Sequence, residues 1–264
     1  MNEASEKCFE HDVEQLCTFM KQEVSAGSII KFGRYPQKTR TVRQTVKKGI
    51  FIKHYREVEK SIPDETPYPI EWIVLDIDWK ERKLLIISKY GLDAQAYNTE
   101  YAFVTWETCT LRKWLNNDFY NKAFSKIEQS AILSTEVDNS TSQNCGVNSP
   151  FGSNNTQDKI FLLSCAEASK YFCTEYWKNK GAMDNTKSRV QPTEYAIAQH
   201  AYVNSKHKTS DGAASGWWWL RSPGHGRGLA SDVETDGSLY DRYNVNCDSA
   251  VVRPALWVDL SLIP

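Results

Sequence analysis

The chain has few of the features that would assign a protein to membrane, metal or hydrolytic chemistry. No apolar run approaches the roughly 18 residues that span a bilayer, so no membrane insertion is expected. The opening Met1-Asn2-Glu3-Ala4-Ser5-Glu6-Lys7 is polar, with no apolar signal core behind it. Net charge is −1, which argues against bulk electrostatic binding to nucleic acid or membranes. Seven cysteines (Cys8, Cys17, Cys109, Cys145, Cys165, Cys173 and Cys247) are an odd number without CxxC spacing, so a complete disulfide framework is not expected. The five histidines form no HExxH or HxH arrangement, and no GxSxG elbow is present. These absences imply no metal and no cofactor. They give the expectation of a reducing, cytoplasmic location, with non-classical export or a phage particle left open.

Aromatic residues are abundant. Nine Trp and thirteen Tyr in 264 residues suit a core that fills irregular space with large rings. With 41% hydrophobic and 25% charged residues the chain is an ordinary globular one. Neither an internal repeat nor a domain-scale linker is visible, so a single α+β domain with long loops is the economical expectation. Phe9, Val13, Leu16, Met20 and Val24 fall on one stripe and predict a helix over 7–25, docked on the domain or serving oligomerisation. Ser28–Gly33 reads as a first strand. Lys38–Lys48, with five basic residues, reads as a solvated loop, and Arg56–Pro69 as a surface connection. Residues 70–76 and 83–88 read as a hairpin. Leu111, Trp114 and Leu115 share a helical face. Ser125-Lys126-Ile127-Glu128 and Ser164-Cys165-Ala166-Glu167 are capping boxes, predicting helices near 126–133 and 165–178. Between them the polar stretch 138–158 reads as a long loop, ending in a short buried strand, 158–163.

The informative stretch is Gly216–Leu260, which opens on Trp217-Trp218-Trp219 and closes on Val251-Val252-Arg253-Pro254-Ala255-Leu256-Trp257-Val258. Both ends read as buried strands. Thr235-Asp236-Gly237 fits a three-residue hairpin loop with Gly237 at the positive-φ position, which sets Val233 opposite Leu239. Alternation then puts Val233, Leu239 and Val245 on one face, and Asp232, Glu234, Tyr240, Arg242, Asn244 and Asn246 on the other. One wet side is common to antiparallel sheets, but this Tyr, Arg and Asn mix is what recognition surfaces favour. Gly224-His225-Gly226-Arg227-Gly228 lacks the Lys-Ser/Thr ending of a P-loop and reads as a turn or binding loop. Arg221 and Arg253 interrupt apolar strands, so acids or backbone carbonyls must pair them. A Cys247–His225 nucleophile pair is disfavoured by Asp248 beside the thiol.

Several motifs, in order, carry a resemblance. Trp218-Trp219-Leu220-Arg221-Ser222-Pro223-Gly224 and Val252-Arg253-Pro254-Ala255-Leu256-Trp257, together with Phe32–Gln37, Pro69–Leu75, Leu111–Asn116 with Phe119-Tyr120, and Asp158–Ser164, closely resemble a bacterial domain of unknown function. That domain looks like a branch of the C-type lectin-like fold, the branch of formylglycine-generating-enzyme-type proteins. Val251 departs from the Gly usual before Val-Arg-Pro. The resemblance implies 28–264 as one lectin-like domain behind an N-terminal helix, 1–27. Members of the family include variable target proteins of diversity-generating retroelements, in which a C-terminal segment is scrambled by adenine-directed mutagenesis. Here that segment corresponds to 224–249, where residues reachable from Asn codons (His225, Gly226, Arg227, Ser231, Asp232, Ser238, Tyr240, Asp241, Tyr243, Asn244, Asn246, Cys247, Asp248 and Ser249) alternate with scaffold positions. The calcium motifs of the sugar-binding lectins do not occur, and Gln191-Pro192-Thr193 lacks their acid.

Three functional expectations follow. The first is a non-enzymatic protein binding a protein or glycan through His225, Arg227, Asp232, Glu234, Tyr240, Arg242, Tyr243, Asn244 and Asn246. In it Trp218 and Trp219 pack beneath that surface while Arg221 and Arg253 brace it. The second is an enzyme related to the formylglycine-generating branch, with its site between the 138–158 loop and the C-terminal loops. The third is a structural or assembly role through the 7–25 helix.

Overall fold

The computed structural model describes residues 24–48, 54–145, 150–176 and 185–260. The helix expected over 7–25 falls, apart from Val24 and Ser25, outside them. The described chain is a sheet-rich α+β fold. Its strands are β1 (Ile29–Pro36), β2 (Thr39–Lys48), β3 (His54–Pro63), β4 (Pro67–Asp78), β5 (Lys83–Ser88), β6 (Asp93–Ala94), β7 (Thr135–Val137) and β8 (Thr156–Asp158). They continue with β9 (Val203–Lys208), β10 (Ala214–Gly216), β11 (Trp218–Pro223), β12 (Leu229–Val233), β13 (Leu239–Asn244), β14 (Val251–Val252) and β15 (Ala255–Asp259). The helices are short: α1 (Thr110–Trp114), α2 (Tyr120–Ala123), α3 (Lys126–Ala131), α4 (Cys165–Phe172) and α5 (Glu194–Ala198). A π-turn over Leu115–Phe119 joins α1 to α2. None of the described helices is long and apolar enough to cross a membrane.

Two sheets share one continuous core. The first has the order β1-β4-β5-β15, antiparallel throughout. The second has the order β13-β12-β11-β14-β6, in which β11 and β14 run parallel. Leu84–Ser88 of β5 and all of β11 are buried. Strands covered on both faces lose the apolar–polar alternation and read as continuous runs, as both do here. The chain crosses from sheet to sheet twice, between β5 and β6 and again between β14 and β15. The crossings lie side by side: the Ser88 amide donates to the Pro254 carbonyl at 2.9 Å, and that of Leu92 to the Val252 carbonyl at 3.0 Å.

Local signals were realised where their partners are close in sequence. Ser125 and Ser164 cap α3 and α4 with both halves of each capping box formed. α4 is shorter than expected because Cys173 turns into the left-handed region at φ 53°. The 70–76/83–88 hairpin is β4–β5, and Val233 pairs with Leu239 around Gly237 at φ 87°.

Three expectations need correction. Residues 39–48 and 54–63 form no loop or connection but the antiparallel pair β2–β3, because valines alternate with long polar side chains that shield them. The polar 138–158 stretch is partly ordered by the β7–β8 pair and a 3-10 turn at Thr141–Gln143. The strand expected at 158–163 is offset: β8 ends at Asp158, and Ile160–Leu163 is buried with a single bridge, Phe161 to Ala255. Of the described cysteines, Cys145 and Cys165 form a disulfide, whereas Cys109, Cys173 and Cys247 are free; one bridge is not the complete framework that the cysteine spacing argued against.

Val251 explains two glycines. A Cβ on Gly91 would collide with Val251 Cγ1, and one on Gly216 would lie 2.7 Å from Val251 Cγ2. Its isopropyl group therefore occupies space that both glycines leave open. Gly91→Ala overpacks this contact and should cost about 1–3 kcal/mol, read as a lowered melting temperature. Adding Val251→Ala should recover much of that loss, and strictly additive losses in the double variant would refute the packing account.

Candidate functional site

Along 224–249, exposure and burial alternate over an aromatic floor. His225, Arg227, Arg242, Asn244, Asn246 and Asp248 are exposed, and Glu234, Tyr240 and Tyr243 are half-buried. Beneath them Val233, Leu239 and Val245 are buried, as alternation required. The Tyr243 ring stacks on Trp217 at 4.1 Å between centroids and meets Tyr240 edge-on at 5.6 Å. Trp219 meets both Trp217 and Tyr243. The floor is thus Trp217 and Trp219. Trp218, expected beneath this surface, instead packs against Phe172 and Arg253, since neighbouring strand residues point to opposite sides.

The bracing arginines pair as expected. Arg221 holds both carboxylate oxygens of Glu167 and donates to the carbonyls of Leu162 and Asp138. Glu167 is also the capping-box acid, so one carboxylate fixes α4 and the end of β11 together. Ser222 adds a second tie: its hydroxyl accepts from the Cys165 amide at 3.0 Å and donates to the Gln143 carbonyl at 2.6 Å. Arg253 is buried, sits 4.9 Å from the ring centroids of both Phe172 and Trp218, and donates to the carbonyls of Ser88 and Ser188. Burial pulls its pKa down to about 9.

The hairpin tip is not a free display loop. The Gly237 carbonyl accepts hydroxyl hydrogen bonds from Thr174 at 2.5 Å and Ser188 at 2.7 Å, and Thr235, Gly237 and Ser238 are buried. Of the residues reachable from Asn codons, Ser231, Asp232, Ser238 and Asp241 are also buried. The Tyr176 hydroxyl donates to Asp241 at 2.9 Å.

Asp232 is the one expected contact residue that the structure removes from the surface. It is fully buried, paired across the sheet with Trp219 on one side and Tyr240 on the other, and among the described residues neither carboxylate oxygen has a hydrogen-bond partner. Alternation placed it on the correct face, but the large cross-strand neighbours close it off. Burial raises its pKa well above the carboxylate range, and Glu234, Asp241, Cys247 and Asp236 add repulsion. The fold therefore favours the neutral acid.

Sequence reasoning missed a neighbouring aromatic group. Tyr101 and Phe103 are exposed, at 62% and 51%. Tyr101 lies over Gly228, whose φ of 72° and lack of Cβ leave room for the ring. Phe103 packs edge-on against Phe151 and under the Arg227 guanidinium. These residues belong to irregular loops, where no periodicity signals exposure. Tyr202, also exposed, is tied to the far end of the segment by the hydrogen bond its backbone amide donates to the Ser249 carbonyl.

No group of three or more metal-ligating side chains occurs among the described residues. Cys247 Sγ lies 3.4 Å from Ser249 Oγ, and among the described residues no hydrogen bond joins it to His225. A void of about 10 Å³ between the 138–158 loop and β11 is bounded by Trp106, Asn139 and Arg221 among others. A larger cleft of about 510 Å³ also meets that loop, at Asn144 and Cys145, and is lined further by Cys165, Cys173, Thr174 to Tyr176, and Leu239 of the C-terminal hairpin.

The family described as "Domain of unknown function (DUF6273)" matches residues 81–260, more than half of the chain. No curated protein and no solved structure matches it.

The buried Asp232 carboxyl sets a pH dependence. Unfolded, it ionises near pH 3.9; folded, it resists ionisation, so its contribution to stability is full below that pH and declines as pH rises towards the folded pKa. Asp232→Asn should therefore match the wild type near pH 3.5 and exceed it by roughly 1–3 kcal/mol at pH 7.5. An offset independent of pH in urea titrations would contradict this assignment.

Proposed function

The chain belongs to the DUF6273 family, and we propose that it is a non-enzymatic binding protein that presents residues 224–249 on a C-type lectin-like scaffold, in the manner of retroelement target proteins. One observation carries the reading. The exposed side chains of this segment (His225, Arg227, Arg242, Asn244 and Asn246) alternate with a packed apolar layer, so they can change without altering the fold. Tyr240 and Tyr243 add half-exposed rings on a Trp floor, and Tyr101 and Phe103 extend the same surface. Rings with few rotatable bonds beside arginine and amides supply area and hydrogen bonds at low entropic cost, the composition of binding hot spots. The ligand class is a protein or a glycan. Diversification would act on His225, Arg227, Tyr240, Tyr243, Asn244, Asn246 and Asp248, and would spare the buried Ser231, Asp232, Ser238 and Asp241.

A second reading, an enzyme related to the formylglycine-generating branch, draws on the cleft that brings the disulfide and Cys173 together. Metal analysis of the purified protein and thiol labelling of Cys173 and Cys247 separate the two: bound metal or a hyper-reactive thiol favours the enzyme.

Screening the protein against glycan and displayed-peptide arrays supplies a ligand for the direct test. Replacing Tyr240 and Arg242 with Ala should then abolish capture, and Arg242→Ala alone, at an exposed position, should weaken it while the melting temperature moves by less than about 2 °C. Undiminished capture removes this surface from contention. An adjacent reverse transcriptase gene with a near-copy of the codons for 224–249 would carry the retroelement part separately.

A further inference from the structure

The β2–β3 pair is an arm added to the fold. Its strands pair in register over ten residues, from Thr39–Pro63 to Lys48–His54, and among the described residues neither pairs with another strand. Ten residues of strand reach roughly 30 Å. Its base is fastened: the Thr39 amide and hydroxyl donate to Glu194 Oε2 at 3.1 and 3.2 Å, and the Tyr195 amide to the Gln37 carbonyl. The arm lies outside residues 81–260, the part that matches the family. Two-stranded ribbons are marginally stable alone and gain from a further strand.

Charge is segregated on this arm. The register puts Arg40, Val42, Gln44 and Val46 on one face with Val58, Lys60 and Ile62. On that face Arg40, Gln44 and Lys60 are exposed, the four aliphatic residues are half-buried, and there is no acid; the same register continues it to positions Lys48 and Arg56. Both acids, Glu57 and Glu59, fall on the other face, where Glu59 meets Arg43 at 3.5 Å. From Lys38 to Lys48 the chain has five basic residues and no acidic one. A basic edge disfavours pairing with a second copy of itself, because like charges would face each other across the new ladder. The same edge accepts a strand of opposite charge.

We propose that this arm binds an extended acidic segment of a partner protein, which adds as a strand along the edge of β2 that no other described strand occupies. Its backbone pairs with that edge, its carboxylates lie on the face of Arg40 and Lys60, and its intervening aliphatic side chains turn to the opposite face. The site is separate from the 224–249 surface, so the Tyr240→Ala/Arg242→Ala variant should bind such a segment as the wild type does.

The test uses the full chain and a fluorescein-labelled decapeptide of alternating Glu and Val. Controls are a Lys-Val decapeptide and a Glu-Val peptide N-methylated at alternate residues, which keeps the charge but removes the ladder donors. Anisotropy at low salt should show binding of the Glu-Val peptide alone. Arg40→Glu with Lys60→Glu should weaken it by roughly tenfold, in line with two lost ion pairs, and should confer binding of the Lys-Val peptide. That gain keeps the test informative if the variant loses some stability. The proposal is overturned if the Glu-Val peptide does not bind, if the N-methylated peptide binds equally well, or if the charge-reversed variant retains the wild-type preference. Preferential binding of duplex DNA or anionic vesicles by the arm would also overturn it.

Discussion

The fold depends on how the two sheets are joined where the chain passes between them. At Arg253-Pro254 the last strand leaves one sheet for the other, and Ser88–Asp93 makes the same passage alongside. Arg253 closes the joint with a guanidinium that has no acidic partner among the described residues. The rings of Phe172 and Trp218 flank it, and the carbonyls of Ser88 and Ser188 accept its hydrogen bonds. A buried cation without a counter-ion is expensive, so its position is tolerated only while rings and carbonyls stay in place. One side chain thereby ties together β5, α4, β11 and the segment before α5.

This joint determines what the candidate surface can be. Trp218 is committed to Arg253, so its neighbours Trp217 and Trp219 face the other way and carry Tyr243 and Tyr240. The arginine at the far end of the same strand, Arg221, does the comparable work through Glu167, which also caps α4. β11 is thus held at both ends by guanidinium groups and is buried along its whole length. A surface on such a strand is rigid at its base, and only its outward residues are free to differ. The tethered hairpin tip and the buried Asp232 and Asp241 confine the outward-facing side chains to one rim rather than the whole segment.

The sequence made legible those features whose determinants sit within a few residues of each other. Ser-x-x-Glu marked two helix starts, Thr-Asp-Gly marked the turn and its register, and the Trp-rich and Val-Arg-Pro runs marked buried strands. Features set by distant partners were hidden. Asp232 lies on the side that alternation assigned, but its burial comes from Trp219 and Tyr240 on flanking strands. The β2–β3 arm read as loop because its valines are interleaved with bases and threonines, and only cross-strand pairing reveals the ribbon. Tyr101 and Phe103 sit in an irregular loop and reach the site through Gly228 and Arg227, contacts spanning more than a hundred residues. The disulfide joins a polar loop to a helix start, and neither end has a spacing motif. Val251, where the resembling family usually carries Gly, is accommodated by Gly91 and Gly216 from two other parts of the chain.

The central claim is a rigid aromatic base under a rim that tolerates change. Its most direct test is saturation mutagenesis across residues 224–249, scoring folded protein by resistance to proteolysis. The account predicts that His225, Arg227, Arg242, Asn244 and Asn246 accept nearly every substitution, whereas Ala230, Val233, Leu239, Asp241 and Val245 accept few. Equal intolerance at the two sets of positions would contradict it.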